Sequence, residues 1–588
     1  MHHTLLCATH YCPAGHHCAQ VTAGWRCLHR PVTLTRRPAG RAWIPSGQLG
    51  RTSAGKGVMT SYFSSGRART STLAMAVAAA LLPAGAAEAA PRGSTTIDRP
   101  APATAFWSVE TYPGITREQA LADNQPAVGG DSPLTPVGLG WEQDARLVGG
   151  EASAFDGASS YLSASPTTLD SAGTFSVAAW VRLTDASVSR DFVSKAGSRH
   201  ATLSVGYDKA SNRWQVRMPT KTGKGAKWSV ARSTSAPRVG LWTHVAVVHD
   251  AAARTLTLWV DGVAEATKFR VTAVNHPAGE FRLGRGDATW WRGNLADVRV
   301  YDRTLVAQDF TGWRASDPGS GGFDEPGLLR PVQVGKWNFE NAIPCYDESI
   351  DDPTLCSAPD STAFDRQLYL TQGSYVDAGR QGSVLALDGT HWIDDPSDPH
   401  YGETTREYAR SQANRGEPGN PVWADAPVLR TDQSFTLATW VRLDPSRGAQ
   451  TVVSQDAAGG HALRLGWEPV DGGRWTLVVP ADGAGAPGGA ATEATAPAAD
   501  ADLWHHLVVV LDAAHRQVLL HVDGTLVRTV ALDAAGQPRQ ATGSLVVGRV
   551  STAAGPEGWL YGQVDDLGAY QGAMSSADVA ALFVAQRV

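Results

Sequence analysis

The sequence predicts an all-β protein built as two tandem antiparallel β-sandwiches joined by a Gly/Pro linker. Three observations carry this. Segments recur in the same order in two halves of the chain: FSVAAWVRL at 175–183 returns as FTLATWVRL at 435–443, LWTHVAVVHD at 241–250 as LWHHLVVVLD at 503–512, and LTLWVDG at 256–262 as VLLHVDG at 518–524. Within these segments apolar residues alternate with a period of two, the period of a strand. Asp261-Gly262 and Asp523-Gly524 stand between apolar runs, where Asp-Gly signals a hairpin turn.

Shorter matches extend the repeat. WSVE at 107–110 pairs with WNFE at 337–340, FDG at 155–157 with LDG at 387–389, and LGR at 283–285 with VGR at 547–549. The runs at 245–248 and 508–511 are short, apolar and largely β-branched, as in the central strands of a sandwich. A repeat of this length excludes a small solenoid. The first copy is assigned to 91–316, the linker (DPGSGGFDEPG at 317–327) to 317–331, and the second copy to 332–588. The run DVAALFV at 578–584 reads as a short closing helix.

The copies differ in one place. From Gly157 to Phe175 is 18 positions, whereas from Gly389 to Phe435 is 46. The additional residues form a loop insertion at about 391–427, polar but holding Trp392, Tyr401, Tyr408 and Trp423. Aromatic residues on a long loop make it a candidate for ligand binding, with interdomain packing as the equal alternative.

The N-terminal part has a different character. From Met59, Arg67 and Arg69 precede the apolar run LAMAVAAALL at 73–82 and the A-x-A site at 87–89, so 59–90 reads as a signal peptide cleaved near Ala89. Secretion to the extracellular space follows as an expectation. Residues 1–58 read as disordered upstream sequence translated from a misassigned start. The other reading, a zinc site from Cys7, Cys12, Cys18 and Cys27 with nearby histidines, lacks a C-x₂-C pair. After cleavage only Cys345 and Cys356 remain, and in an exported chain they read as one disulfide closing a short loop, with two unlinked thiols as the alternative.

Residues 1–90 hold nine Lys/Arg and one acid, leaving 42 basic against 56 acidic residues beyond them. An acidic body without a basic stripe argues against nucleic acid as a partner. No apolar run reaches the roughly 18 residues of a membrane span.

The motifs FDG..SYL, FSVAAWVRL, LWTHVAVVHDAAARTLTLWVDG and GNLADVRVYDRTL resemble the laminin-G-like jelly-roll domain of the concanavalin-A-like lectin and glucanase superfamily. FTLATWVRL, LWHHLVVVLDAAHRQVLLHVDG and GQVDDLGAYQGAMS carry the same resemblance in the second copy. The resemblance implies a two-sheet jelly roll and extracellular recognition of a glycan or a cell-surface protein. It also implies a structural calcium ion, held by an acid of the first strand and an Asp opening the last strand motif: Glu340 and Asp565 in the second copy. In the first copy Glu110 is present but Ala296 replaces the Asp.

Glucanases of the superfamily carry alternating acids, E-x-D-x-E, on one strand. Only Glu403 and Glu407 have that outer spacing, with Thr405 at the centre. His505 and His506 are adjacent in a strand segment and face opposite ways, so they read as structural residues. The expectation is therefore a secreted, non-catalytic binding or adhesion protein with carbohydrate as the ligand class. A divergent glycoside hydrolase and a structural protein-interaction module are the alternatives.

Overall fold

The computed structural model describes residues 101–587 apart from 126–129, 313–326, 344–355, 372–373, 393–395, 397–400, 403, 417–419, 483–489 and 533–535, together with the backbone of 18–21 and 24–27. Two compact units are present, Met1–Ser94 and Thr95–Val588. In the smaller unit Cys18–Val21 pairs antiparallel with Gly24–Cys27. The rest of 1–58, the signal-peptide segment 59–90 and the linker core at 317–326 lie outside the described residues.

The larger unit contains both sandwiches. In the first, a sheet of seven strands runs in the order Trp228–Arg232, Arg213–Pro219, Leu203–Asp208, Arg190–Lys195, Phe281–Leu283, Tyr161–Ala164 and Thr135–Val137. It packs on an eight-stranded sheet centred on Trp242–Asp250, Phe175–Leu183 and Arg292–Tyr301. All pairings are antiparallel, and Phe175–Leu183 pairs Val177 with Val247 and Val181 with Thr243. The alternation seen in the sequence is the alternation of burial: Val177, Ala179, Val181 and Leu183 enter the core between the sheets. Trp107 is fully buried there and donates its indole N–H to the carbonyl of Ser132 at 2.9 Å.

The second sandwich repeats this plan with eight and nine strands. Phe435–Leu443 lies between His505–Asp512 and Tyr561–Gln571, and buried Trp337 donates to the carbonyl of Arg366 at 2.8 Å. Asp261 and Asp523 adopt positive φ at their hairpins, and each accepts from a backbone N–H of the adjoining strand, that of His244 and of His506, at 2.9 Å. The closing helix spans Ser576–Gln586, capped by Ser575, and lays Phe583 against Trp440 on the outer face of its sheet.

The stretch expected as a loop insertion is partly sheet. Ala409–Asn414 pairs with both Arg366–Leu370 and Leu545–Val547, which makes it the counterpart of Tyr161–Ala164 in the first sandwich. His391–Trp392 and Thr404–Thr405 form a small hairpin of their own, and Trp423–Asp425 adds to the edge of Ala409–Asn414.

The two sandwiches share a packed boundary. Leu147, from a segment of the first, is 3% exposed and belongs to the hydrophobic core cluster of the second. Arg430 of the second sandwich donates to the carboxylate of Asp144 and to the carbonyls of Asp144 and Ala145, the latter two at 3.2 Å. Arg366 donates to the carbonyl of Val148, and Gln433 accepts from the backbone N–H of Trp242 at 3.1 Å.

Candidate functional site

The seven-stranded sheet has one apolar face and one polar face because its strands alternate along most of their length. Leu203, Val205 and Tyr207 enter the core with Trp214, Val216 and Met218, so Ser204 and Arg217, which are cross-strand partners, share the other face. Asp191 faces Gly206 across a bulge, where an added Cβ would meet the Arg190 carbonyl oxygen at 2.0 Å.

Asp191 is 2% exposed, yet it is engaged on the polar side. Its Oδ2 accepts from Arg217 at 2.9 Å and from the Thr289 hydroxyl at 2.6 Å. Burial pushes the Asp191 carboxyl above its usual range, while the Arg217 guanidinium opposes this. Beside this network the Ser204 hydroxyl and the Arg217 Nε are buried with no hydrogen-bond partner among the described residues. Trp228, 37% exposed, stands at one end with the Arg217 guanidinium 5.5 Å from its ring centre. At the other end Arg285 lies over both Tyr161 and Trp290, 5.0 and 4.9 Å from their ring centres. The face therefore offers aromatic surface, hydrogen-bonding groups and a cation in series.

The second sandwich reproduces the aromatic end. Arg549 lies 4.8 Å from the Tyr408 ring centre, and Tyr408 and Trp559 are 6.1 Å apart. The equivalence is set by register: Val193 pairs with Leu283 as Val453 pairs with Val547, and Ser194 and Ser454 donate to the carbonyls of Arg285 and Arg549. Here the floor is different. Arg549 is paired with Asp456 at 3.1 Å, and Thr451 and Arg464 stand where the first sandwich has Asp191 and Ser204.

Of the four aromatic residues expected to form a binding loop, Tyr408 joins this cluster. Trp392, on the first strand of the small hairpin, and Tyr401, in the turn before its second strand, are 59% and 57% exposed, and Trp423 is half-buried on the edge strand. Sequence reading passed over Asp191, Arg217, Trp228 and Trp290, and met Arg285 only as part of the repeated LGR/VGR segment. The aligned pairs Tyr161/Tyr408, Arg285/Arg549 and Trp290/Trp559 were a usable signal, because each is identical in the two copies.

Glu340 and Asp565 were expected to hold calcium. Asp565 is buried, and burial together with the neighbouring Asp566 pushes its carboxyl up to about 7. The Arg380 guanidinium reaches Asp566 at 2.8 Å and Asp565 at 3.5 Å while lying 4.1 Å from the Trp440 ring centre. Exposed Glu340 accepts from the backbone N–H of Ser383 at 3.2 Å. In the first sandwich Arg146 does the same, bonding Glu110 at 2.9 Å and lying 5.4 Å from Trp180. A calcium ion needs six to eight oxygens around it. With Arg380 already placed against Asp565 and Asp566, the residues present do not fit one, and no group of three or more ligating side chains occurs among the described residues.

Glu407 is buried and accepts from the backbone N–H of Asp388, and Glu403 lies outside the described residues. His506 packs between Trp440 and Phe583, while His505 turns the other way to Asp523 at 2.9 Å, so the two histidines face opposite sides. Cys356 is buried, and Cys345 lies outside the described residues. No described helix is long and apolar enough to cross a membrane.

A family model described as the concanavalin A-like lectin/glucanases superfamily matches residues 156–310 and 416–580. No curated protein matches the chain. Among solved structures, the binding domain of Paraclostridial Mosquitocidal Protein 1 is 12% identical with a TM-score of 0.30, covering 43% of this chain and 52% of that one. The binding domain of botulinum neurotoxin DC in complex with rat synaptotagmin II is 8% identical with a TM-score of 0.29, covering 43% and 52%. The chain thus spans about half the length of these structures. The two matched regions make up more than half of the sequence and fall one within each sandwich, so the chain belongs to the concanavalin A-like lectin/glucanases superfamily and carries its laminin-G-type domain twice.

Proposed function

We propose that this chain is a secreted, non-catalytic binding protein that recognises carbohydrate on the polar face of the seven-stranded sheet. The observation that carries the reading is the pair of buried, unpartnered donors there, Ser204 Oγ and Arg217 Nε, beside the Asp191–Thr289 network and flanked by Trp228 and Trp290. Leaving such groups buried and unpaired costs about 1–3 kcal/mol each, and a ligand bearing hydroxyls removes that cost. The exposed indole of Trp228 and the half-buried one of Trp290 suit the apolar C–H faces of a sugar ring, and the polar floor suits its hydroxyls.

The test is a glycan array probed with the full chain, followed by the same array with Asp191→Asn and Trp228→Ala. Binding to a defined glycan set that both substitutions weaken, with an unchanged circular dichroism spectrum, is the expected result. Failure to bind any glycan, or binding indifferent to both substitutions, would overturn the reading and favour a protein-interaction module.

A further inference from the structure

The two sandwiches carry the same Tyr–Arg–Trp cluster but differ in what balances the arginine. In the second, Asp456 pairs with Arg549 at 3.1 and 3.4 Å, and the Ser551 hydroxyl accepts from it at 2.6 Å. Asp456 lies three residues beyond Val453, the partner of Val547; three residues beyond Val193, the equivalent partner of Leu283, stands Ala196. The first sandwich has thus lost the acid while keeping the arginine. Among the described residues no carboxylate or other acceptor engages the Arg285 guanidinium, which is held only by the rings of Tyr161 and Trp290.

The acids around it are already committed, and Glu280, five residues before it, pairs with Arg282 at 2.9 Å. Asp191 accepts from Arg217 and Thr289, and both oxygens of Asp287 accept from the backbone N–H of Ala201 at 2.9 Å. The tight turn 286–289 that sets Trp290 beside Arg285 is closed by the Gly286 N–H to the Thr289 carbonyl at 2.9 Å. A side chain at Gly286 would meet Asp191 and Thr289 at 2.3 Å, so this turn is fastened to the polar floor. A guanidinium lying on aromatic rings keeps its in-plane N–H donors free, and their fork matches the two oxygens of a carboxylate or a sulfate.

We propose that the first sandwich selects an anionic saccharide, one bearing carboxylate or sulfate groups, through a direct charge-assisted contact with Arg285. The inference rests on the saccharide-binding reading and narrows its ligand class. Arg285 binds the acidic group, Trp290 and Tyr161 hold the guanidinium in place, and the Asp191–Arg217–Ser204 face receives the hydroxyls. Arg549, neutralised by Asp456, makes the second sandwich's cluster the neutral counterpart.

The test measures binding of the full chain to three polysaccharides: heparin (sulfate and carboxylate), polygalacturonate (carboxylate only) and laminarin (neutral), at 50 and 300 mM NaCl. At least one anionic polymer is expected to bind more tightly than laminarin and to weaken with salt. Arg285→Gln should cost on the order of tenfold on that polymer, and Arg285→Lys should recover part of it. Lys268→Gln, which removes an equal charge from an exposed strand of the opposite sheet, should change nothing. Heparin against polygalacturonate separates sulfate from carboxylate recognition. Equal anionic binding by Arg285→Gln and the natural chain, or an equal loss in Lys268→Gln, would overturn the proposal. Laminarin bound as well as both anionic polymers, with no effect of Arg285→Gln, would sink this inference and leave saccharide binding standing. No binding to any polysaccharide would sink both.

Discussion

Replacing Leu147 by Ala should destabilise the second sandwich, although Leu147 belongs to the chain segment of the first. The side chain is 3% exposed and packs within a cluster that includes Val334, Trp337, Leu368 and Val428. Withdrawing a leucine from water contributes roughly 1.5–3 kcal/mol. Truncation to Ala leaves a cavity as well, which brings the expected loss to about 2–5 kcal/mol. The backbone around Leu147 is pinned by Arg430 and Arg366, so the site has little freedom to collapse into the gap. Leu147→Met, which keeps most of the volume, should cost less than about 1.5 kcal/mol. Urea denaturation followed by tryptophan fluorescence gives the total, and amide exchange in Phe435–Leu443 and Phe175–Leu183 locates it. Protection should fall in the strand of the second sandwich. A loss below about 0.5 kcal/mol, or one confined to Phe175–Leu183, would refute the argument that the first sandwich completes the core of the second.

Asp565, raised to about 7 against 3.8 for the free side chain, binds a proton more readily folded than unfolded, so its contribution to stability declines as pH rises from about 4 through 7. Asp565→Asn should therefore stabilise the chain at pH 8 relative to the natural protein and do so much less at pH 5; the opposite order of melting temperatures would refute this. Because Arg380 already pairs with Asp565 and Asp566, adding calcium to metal-stripped protein should leave the melting temperature unchanged, and a calcium-dependent rise lost in Asp565→Ala would restore the ion site. A Cys345–Cys356 disulfide should contribute roughly 2–3 kcal/mol by loop-closure entropy. The disulfide-bonded state of Cys356 supports it, and free thiols at both positions in non-reduced peptide mass spectra would reject it. Secreted material should begin at about Ala90, and a mature protein that retains Cys7 would refute the leader assignment at 59–90. The purified chain should release no reducing sugar from β-glucans; release abolished by a single carboxylate substitution would overturn the non-catalytic reading.

The sequence by itself determined the fold, because the signals for it are local. Alternation in FSVAAWVRL decides which side chains of one strand face inward, and Asp-Gly at 261–262 and 523–524 decides where Thr255–Val260 and Gln517–Val522 turn back, without reference to distant residues. Repetition then showed that the chain makes the same sandwich twice. What tertiary structure alone decided are the pairings between residues far apart. Ala409–Asn414 looked like loop because its sequence is polar; it is a strand because Arg366–Leu370 and Leu545–Val547 supply hydrogen bonds on both sides. Glu340 and Asp565 looked like ion ligands until Arg380, remote from Asp565 in sequence, was found beside it on Trp440. Asp191, Arg217 and Thr289 meet only because three strand-and-turn segments converge on one face. Leu147 enters the neighbouring core for the same reason. A strand period is written in consecutive residues, whereas a charge partner or a cavity filler is set by register and by sheet packing, which no short stretch of sequence contains.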